Sequence, residues 1–302
     1  MRKITLALTL VLATLTLGFS QNYTFRVLAT KGVNEVKTGG VWQPVKTGAT
    51  LQEADEIKVS ENAYLGLVHK SGKPIEIKKA GPYQISELAK SVNTESSVLN
   101  KYTDFILSSN SAEAKKNRLS ATGAVHRGEA DAINLLLPDN QFSGFFGNKV
   151  ILTWDAKVSG PFVVELQDMF EDVLAKYETP NNSYTLDLSD PKLAGRDLNA
   201  IMVLITQKES AKNRSSVKIL KRLSAEEEKK VKAAYAAEVP VLDDGTALSK
   251  VLIASFYDEK NLVVDALTAY QEAVQLAPDV QNFKDYLEDF MVRRNIKSAK
   301  QQ

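Results

Sequence analysis

The chain of 302 residues is longer than one ordinary domain, and its 44% hydrophobic content is enough to build several cores. Its 38 basic and 37 acidic side chains nearly cancel, which excludes the strongly basic surface of a typical nucleic-acid-binding protein. The sequence has no cysteine, and this excludes disulfides, thiol nucleophiles, cysteine-based zinc sites and a lipoprotein anchor.

The N-terminus has the pattern of an export leader. Arg2 and Lys3 precede an apolar run from Ile4 to Leu17, and small residues after the run favour cleavage before Gln21. The run is shorter than the roughly 20 residues that a membrane-spanning helix needs, although an uncleaved anchor is the alternative interpretation. The sequence therefore predicts a signal peptide over 1–20 and a periplasmic protein that is not a lipoprotein.

Residues 21–86 are predicted to form a small all-β module. Short alternating apolar runs are separated by Gly, Pro and Ser every ~8–12 residues, which is typical of such a module. The pattern is carried by the segments Val27–Val36, Trp42–Val45, Gly48–Asp55, Ala63–His69 and Ser71–Gly72. Their order and spacing resemble the FecR-type domain of bacterial envelope proteins. This resemblance implies periplasmic signalling toward a membrane partner.

Residues 87–129 are predicted to be a helical connector. Ser86 is expected to cap a helix that begins at Glu87, and Lys101–Leu107 has apolar residues at helical spacing. The stretch Ser108–Arg118 is rich in Ser, Asn, Ala and Lys, so we expect it to be solvated. We interpret the whole segment as a linker between modules.

Residues 130–221 return to strand patterns and are predicted to form a β-sandwich. Apolar alternation and buried runs mark the strands Ile133–Leu137, Val150–Trp154, Phe162–Leu166, Tyr184–Leu188 and Ala200–Thr206. A core Trp154 before the turn at Gly160-Pro161 favours a sandwich. The order Val-x-Leu-Thr-Trp-Asp followed by Phe-x-Val-x-Leu resembles fibronectin type III and immunoglobulin-like modules.

One segment of this module fits two structures. The stripe from Phe170 to Tyr177 has helical spacing, whereas Val173–Thr179 and the turn Pro180–Ser183 fit the arm of a hairpin. We predict the hairpin, because it delivers the chain to Tyr184 in register.

Residues 222–302 are predicted to be helical. Ser224 and Glu227 have the spacing of a capping box, and acidic residues in a first turn are favoured by the helix dipole. The helix that they begin is expected to run to about Glu238 and to end at Pro240.

Two further helices, one beginning near Thr246 and the next ending at Pro278, have the spacing of a repeat. The pattern is carried by Ile253, Ala254, Tyr257, Ala266, Tyr270, Ala273 and Pro278. This region resembles a tetratricopeptide repeat, with Asn282–Arg294 as a capping helix. A plain helical hairpin bundle is the alternative.

The repeat resemblance implies that these helices bind a partner protein through a concave face. One repeat cannot bury its apolar face alone, so we expect it to pack on the preceding helix or on a partner. The candidate partner-binding residues are Tyr257, Tyr270, Phe283 and Tyr286.

Catalytic chemistry has little support in this sequence. His69 alternates with apolar residues at a strand end, and His126 lies in a glycine-flanked loop without a nucleophile elbow. Four acidic residues near one turn have the chemistry to flank a glycosidic bond or to bind calcium, but they lack the Asp-x-Asp-x-Asp-Gly spacing. These residues are Glu165, Asp168, Glu171 and Asp172. We interpret them as a solvated loop, and we predict no catalytic, cofactor-binding or metal-ligating residue.

Three modules without site chemistry favour binding or assembly. We expect an exported, non-catalytic envelope protein in which β surfaces and repeat-like helices bind a protein partner. The alternative is a cell-wall or glycan-binding protein that uses Trp42, Tyr64 and Tyr83 as platforms. A third hypothesis is a degenerate hydrolase that uses the acidic residues around Glu165.

Overall fold

The computed structural model describes residues 23–92, 100–114, 116, 132–139, 144–242 and 244–297. The predicted leader and His126 lie outside these residues. The chain forms several small β-sheets followed by a bundle of four helices, so the architecture is mixed α+β. In the described part of the chain, no helix is both long and apolar enough to cross a membrane.

The N-terminal module contains eight described strands. They are β1 (Phe25–Lys31), β2 (Asn34–Thr38), β3 (Val41–Pro44), β4 (Thr50–Leu51), β5 (Glu56–Val59), β6 (Tyr64–His69), β7 (Pro74–Ile77) and β8 (Gly81–Gln84). One sheet has the order β4-β1-β6-β7 and the other β3-β2-β5-β8. Gly39 and Gly40, with φ of +61° and +88°, make the two-residue turn between β2 and β3, where a side chain would be strained. The predicted all-β segment is confirmed.

The segment after this module is helical but differs from the predicted linker. Helix α1 (Ile85–Lys90) begins one residue before Ser86, so Ser86 lies in its first turn and is not its cap. In α2 (Asn100–Ser109), the side chains of Tyr102 and Ile106 are buried. Because α2 packs on β1 and on the C-terminal helices, this part of the segment belongs to the core and the linker interpretation is wrong for it.

The second β region consists of two sheets. Its strands are β9 (Ile133–Leu135), β10 (Gly144–Phe145), β11 (Lys149–Ala156), β12 (Phe162–Gln167), β13 (Val173–Thr179), β14 (Ser183–Asp187), β15 (Ala200–Gln207), β16 (Ser210–Arg214) and β17 (Lys218–Arg222). One sheet has the order β10-β17-β15-β12-β13, with β16 paired to β15, and the other has the order β14-β11-β9. The Trp154 ring of β11 packs edge-to-face on the Phe162 ring of β12, with ring centroids 5.4 Å apart. The expected core position of Trp154 is confirmed.

The hairpin prediction for this region is half right. Val173–Thr179 is a strand, and the helical alternative is wrong. However, β13 pairs with β12, whereas β14 pairs with β11 of the other sheet. The turn before Ser183 therefore carries the chain from one sheet to the other, and the stacked rings of Tyr177 and Tyr184 bridge the two sheets at 5.1 Å.

The C-terminal helices are α3 (Ala225–Leu242), α4 (Ala247–Glu259), α5 (Val263–Leu276) and α6 (Gln281–Arg293). The capping box is confirmed, because the Ser224 N–H donates to Glu227 Oε2 at 3.0 Å and the Glu227 N–H donates to Ser224 Oγ at 3.4 Å. The predicted end at Pro240 is wrong, since α3 continues to Leu242. Val239 and Leu242 are buried there, and this apolar packing outweighs the cost of a proline in the last turn.

The helices lie between the two β regions and contact both of them. On the N-terminal side, hydrogen bonds run from the Thr30 N–H to Asn282 Oδ1 at 3.0 Å, from the Leu248 N–H to Glu76 Oε1 at 2.8 Å, and from the Tyr286 hydroxyl to the Leu28 carbonyl. On the other side, Gln271 Nε2 donates to Thr153 Oγ1 at 2.9 Å. Strands of the same chain therefore pack against the helical bundle from both β regions.

Candidate partner-binding surface

The loop between β12 and β13 is held in one shape by the Asp168 carboxylate. Asp168 Oδ1 accepts hydrogen bonds from the N–H groups of Phe170 at 2.8 Å and Asp172 at 3.0 Å. The Asp168 N–H in turn donates to the Asp172 carbonyl at 3.0 Å, and Glu171 adopts a left-handed φ of +69°. This loop is an aspartate-stabilised turn of the kind that short polar side chains favour.

The same loop presents apolar side chains to solvent. Phe170 is 87% exposed, and Met169 and Val173 are about half exposed. Single exposed apolar residues are common on protein surfaces, whereas a cluster of several is typical of interaction sites. We call Met169, Phe170 and Val173 the hairpin tip.

The acidic residues of this region have structural partners. Glu165 Oε2 pairs with Lys176 Nζ at 2.6 Å on the neighbouring strand, and Glu165 Oε1 accepts from Gln167 Nε2 at 2.6 Å. Partial burial raises the pKa of Glu165, but the hydrogen bonds from Lys176 and Gln167 outweigh it and hold the pKa below its ordinary value. In the described part of the chain, no group of three or more His, Cys, Asp or Glu side chains is arranged to hold a metal ion.

The four predicted partner-binding residues lie in the helical bundle, and three of them are core residues. The side chains of Tyr270, Phe283 and Tyr286 are at most 3% exposed, whereas Tyr257 is half-buried. Burial raises the pKa of Tyr270 to about 12. Three of these aromatic rings therefore offer no accessible surface in this conformation, because they fill the spaces between helices and strands.

Tyr257 differs from the other three because it lines a cavity of about 210 Å³ between the bundle and β11. The ring of Tyr235 lies 6.3 Å from that of Tyr257, centroid to centroid. Burial first, and then the negative charge of Asp265, raises the pKa of Tyr257. Of the predicted residues, Tyr257 is the one with access to a cavity.

The remaining residues selected from the sequence are distributed over the N-terminal module. His69 is buried at the end of β6 as expected, with its Nδ1 at 2.8 Å from Ser71 Oγ, and burial lowers its pKa. Of the three aromatic platforms, Trp42 is 38% exposed, whereas Tyr64 is buried and Tyr83 donates its hydroxyl proton to the Lys79 carbonyl at 2.7 Å.

Sequence reasoning missed the hairpin tip. Its signal was two adjacent large apolar residues, Met169 and Phe170, between acidic residues in a turn. Phe170 was counted as part of the apolar stripe of the helical alternative, so an exposed position was not considered for it.

No protein-family model matches this chain, and a search of curated proteins finds no match either.

Proposed function

We propose that this protein is an exported, non-catalytic component of the bacterial cell envelope that binds a partner protein through the hairpin tip. The observation that carries the proposal is the 87% exposure of Phe170 on a loop that Asp168 holds in shape. Export follows from the predicted leader, and the assignment to the envelope rests on the resemblance of the N-terminal module to FecR-type domains.

The hairpin tip has the chemistry of an interface hot spot. Burying a Phe or Met side chain against a partner contributes about 1.5–3 kcal/mol through the hydrophobic effect. The hydrogen bonds to Asp168 fix the backbone before binding, so less conformational entropy is lost on association. Aromatic anchors that are already ordered are the residues on which binding energy concentrates.

The finer fold assignments belong to the same proposal. The two facing sheets with Trp154 between them support an immunoglobulin-like module, and the buried Ala254, Ala266 and Ala273 in α4 and α5 support a tetratricopeptide-like helix pair. In this proposal the helix pair is a scaffold that supports the β modules, and the partner contacts the β12–β13 hairpin.

The test is a cross-linked capture of the tagged protein from intact envelopes, with the captured proteins identified by mass spectrometry. We expect a defined set of envelope proteins, and its recovery is expected to fall about tenfold in Phe170→Asp, which corresponds to the loss of 1.4 kcal/mol or more. Leu276→Asp is the matched control, because Leu276 is 50% exposed on α5 and far from the hairpin in the sequence. Equal recovery with Phe170→Asp and the wild type would refute the role of the hairpin tip.

The exposure of Trp42 favours glycan binding as a second candidate function. Trp42 lies on the edge strand β3, with Lys37 Nζ 5.6 Å from its ring centroid. An exposed indole flanked by charged groups has the surface that stacks on a sugar ring. Sedimentation with purified cell wall tests this function: loss of co-sedimentation in Trp42→Ala supports it, and an unchanged or absent wall-bound fraction rejects it.

A further inference from the structure

A cleft lies where β17 meets α3, and none of the hairpin-tip residues lines it. Its volume is about 420 Å³, which is within the range of small-molecule sites. Polar side chains and four apolar ones line it together. The side chains that argue for a ligand here are Asn148, Arg196, Asp197, Arg222 and Glu228.

Arg222 lines this cleft, and residues 146–148 accept hydrogen bonds from its guanidinium group. Its Nη1 donates to the carbonyls of Phe146 at 3.2 Å and Gly147 at 2.7 Å, and its Nη2 donates to Asn148 Oδ1 at 2.6 Å. The guanidinium carbon also lies 4.6 Å from the centroid of the Phe145 ring. These contacts orient the group, but each acceptor is neutral.

Arg222 forms no direct ion pair with a carboxylate of the described residues. Within the residues that the structure describes, no Asp or Glu oxygen lies within ion-pair distance of Arg222, and its Nε–H and one Nη2–H have no protein acceptor. Partial burial lowers the pKa of Arg222, although the more distant charges of Asp265 and Glu228 oppose this effect. Burying a guanidinium group without a counter-ion is unfavourable, so an anion in the cleft would relieve this cost.

The other charged side chains of the cleft are Asp197, Glu228 and Arg196. The carboxylate of Asp197 accepts the Asn199 N–H at 2.9 Å, and Glu228 pairs with Lys232 at 2.6 Å. Arg196 is exposed at the mouth, with no ion-pair partner among the described side chains. Glu228 is therefore ion-paired within the protein, whereas Arg196, Arg222 and Asp197 have no ion-pair partner among the described residues. The unpaired charges of the cleft, two positive and one negative, leave a net charge of +1.

We propose that this cleft binds a small anionic ligand through its carboxylate or phosphate group. The free edge of Arg222 has the N–H donors that a carboxylate or phosphate accepts, and Arg196 adds a second positive charge at the mouth. The volume exceeds that of a bare anion, so the cleft has room for an uncharged portion of the ligand. Because this proposal does not use the hairpin tip, it stands or fails separately from the proposed function.

Titration calorimetry of the full chain with inorganic phosphate and, separately, with succinate tests the proposal at near-physiological ionic strength. We expect saturable binding of one anion per chain, and the tighter of the two probes identifies the preferred group. Arg196→Gln is expected to weaken binding about tenfold, the effect of losing one charge-assisted hydrogen bond worth roughly 1.4 kcal/mol. Arg222→Lys keeps the charge but removes the planar fork, and is expected to weaken binding at least as much.

Arg214→Gln is the matched control, because it removes the same charge from an exposed arginine at the end of β16, where it pairs with Thr206 of β15. If Arg222→Lys does not fold, as judged by circular dichroism, Arg196→Gln still decides the question. If neither phosphate nor succinate binds saturably, the proposal is overturned. Equal weakening by Arg196→Gln and Arg214→Gln would also overturn it, because the effect would then be general surface electrostatics.

Discussion

Replacing Asp265 with Asn is expected to change how the stability of this protein depends on pH. Asp265 lies in the first turn of α5, is 6% exposed, and accepts the N–H groups of Phe146 at 2.8 Å and Gly147 at 2.7 Å. These bonds attach the β10–β11 loop to the helical bundle. The carboxylate is thus a buried charge at the junction of the second β region and the helices.

Two opposing effects set the pKa of this carboxyl. Burial disfavours the charged form and is the larger effect, whereas the two N–H donors and the positive charge of Arg222 favour it. The result raises the pKa of Asp265 to about 6 from its ordinary value of 3.8. The other charged groups that line the cavity beside Tyr257 are Lys149, Lys250 and Glu272, and the last two pair with each other at 3.1 Å.

The sign of the effect follows from linkage. The folded state holds the Asp265 proton more tightly than the unfolded state, so this group stabilises the fold as the pH falls from above 6 toward 3.8. The full difference corresponds to about 3 kcal/mol, and about 2 kcal/mol of it develops between about pH 7.5 and about pH 4.5. Asp265→Asn cannot titrate and lacks this contribution.

The assay is urea unfolding of both proteins at the two pH values, followed by tryptophan fluorescence. Subtracting the two free energies of unfolding at each pH cancels the other titrating groups. We expect the wild type to gain about 2 kcal/mol relative to Asp265→Asn on acidification. Asp155→Asn, at an exposed position on β11, controls for the loss of one negative charge. Parallel pH profiles, or a relative loss for the wild type, would show that the N–H donors outweigh burial.

Two further predictions concern the helices. Asp258→Ala removes a buried carboxylate that pairs with Arg293 at 3.0 Å and with Arg294. We expect the free energy of unfolding in urea to fall by about 3 kcal/mol, because two arginines lose their partner. A fall below about 1 kcal/mol would contradict a structural role for this network. Thr246→Ala removes the side chain that accepts the Ser249 N–H at 3.2 Å at the start of α4, and is expected to cost about 1 kcal/mol in thermal unfolding, whereas Thr246→Ser should retain most of the stability.

Local patterns predicted the elements well where the signal lies within a few residues. The capping box at Ser224 was readable because it involves neighbours three residues apart, and the start of a helix near Thr246 was also predicted. Alternation likewise identified β11 and β12, including the core position of Trp154. The exception at Pro240 shows the limit, because burial of the neighbouring Leu242 overrode a local stop signal.

The candidate sites could not be read in the same way. Tyr270, Phe283 and Tyr286 were selected as partner-binding residues because aromatic side chains suit both cores and interfaces, and a sequence does not distinguish these two uses. Only the packed structure shows that helices cover Tyr270 and that strands of the N-terminal module contact Phe283 and Tyr286. The opposite error was made for Phe170, which was not selected although it is exposed. Its exposure depends on how the β12–β13 loop lies relative to the two sheets.

The sequence by itself determined the order of β and helical segments, the lack of cysteine chemistry and the near-neutral charge of this protein. Tertiary structure alone decided that β13 and β14 belong to different sheets, that the helices lie between the β regions, and that Arg222 faces a cleft without a carboxylate partner among the described residues. The physical reason is the separation along the chain of the residues that interact. Periodicity and capping depend on residues one turn apart, whereas strand pairing, burial and charge compensation depend on groups that only the folded chain brings together.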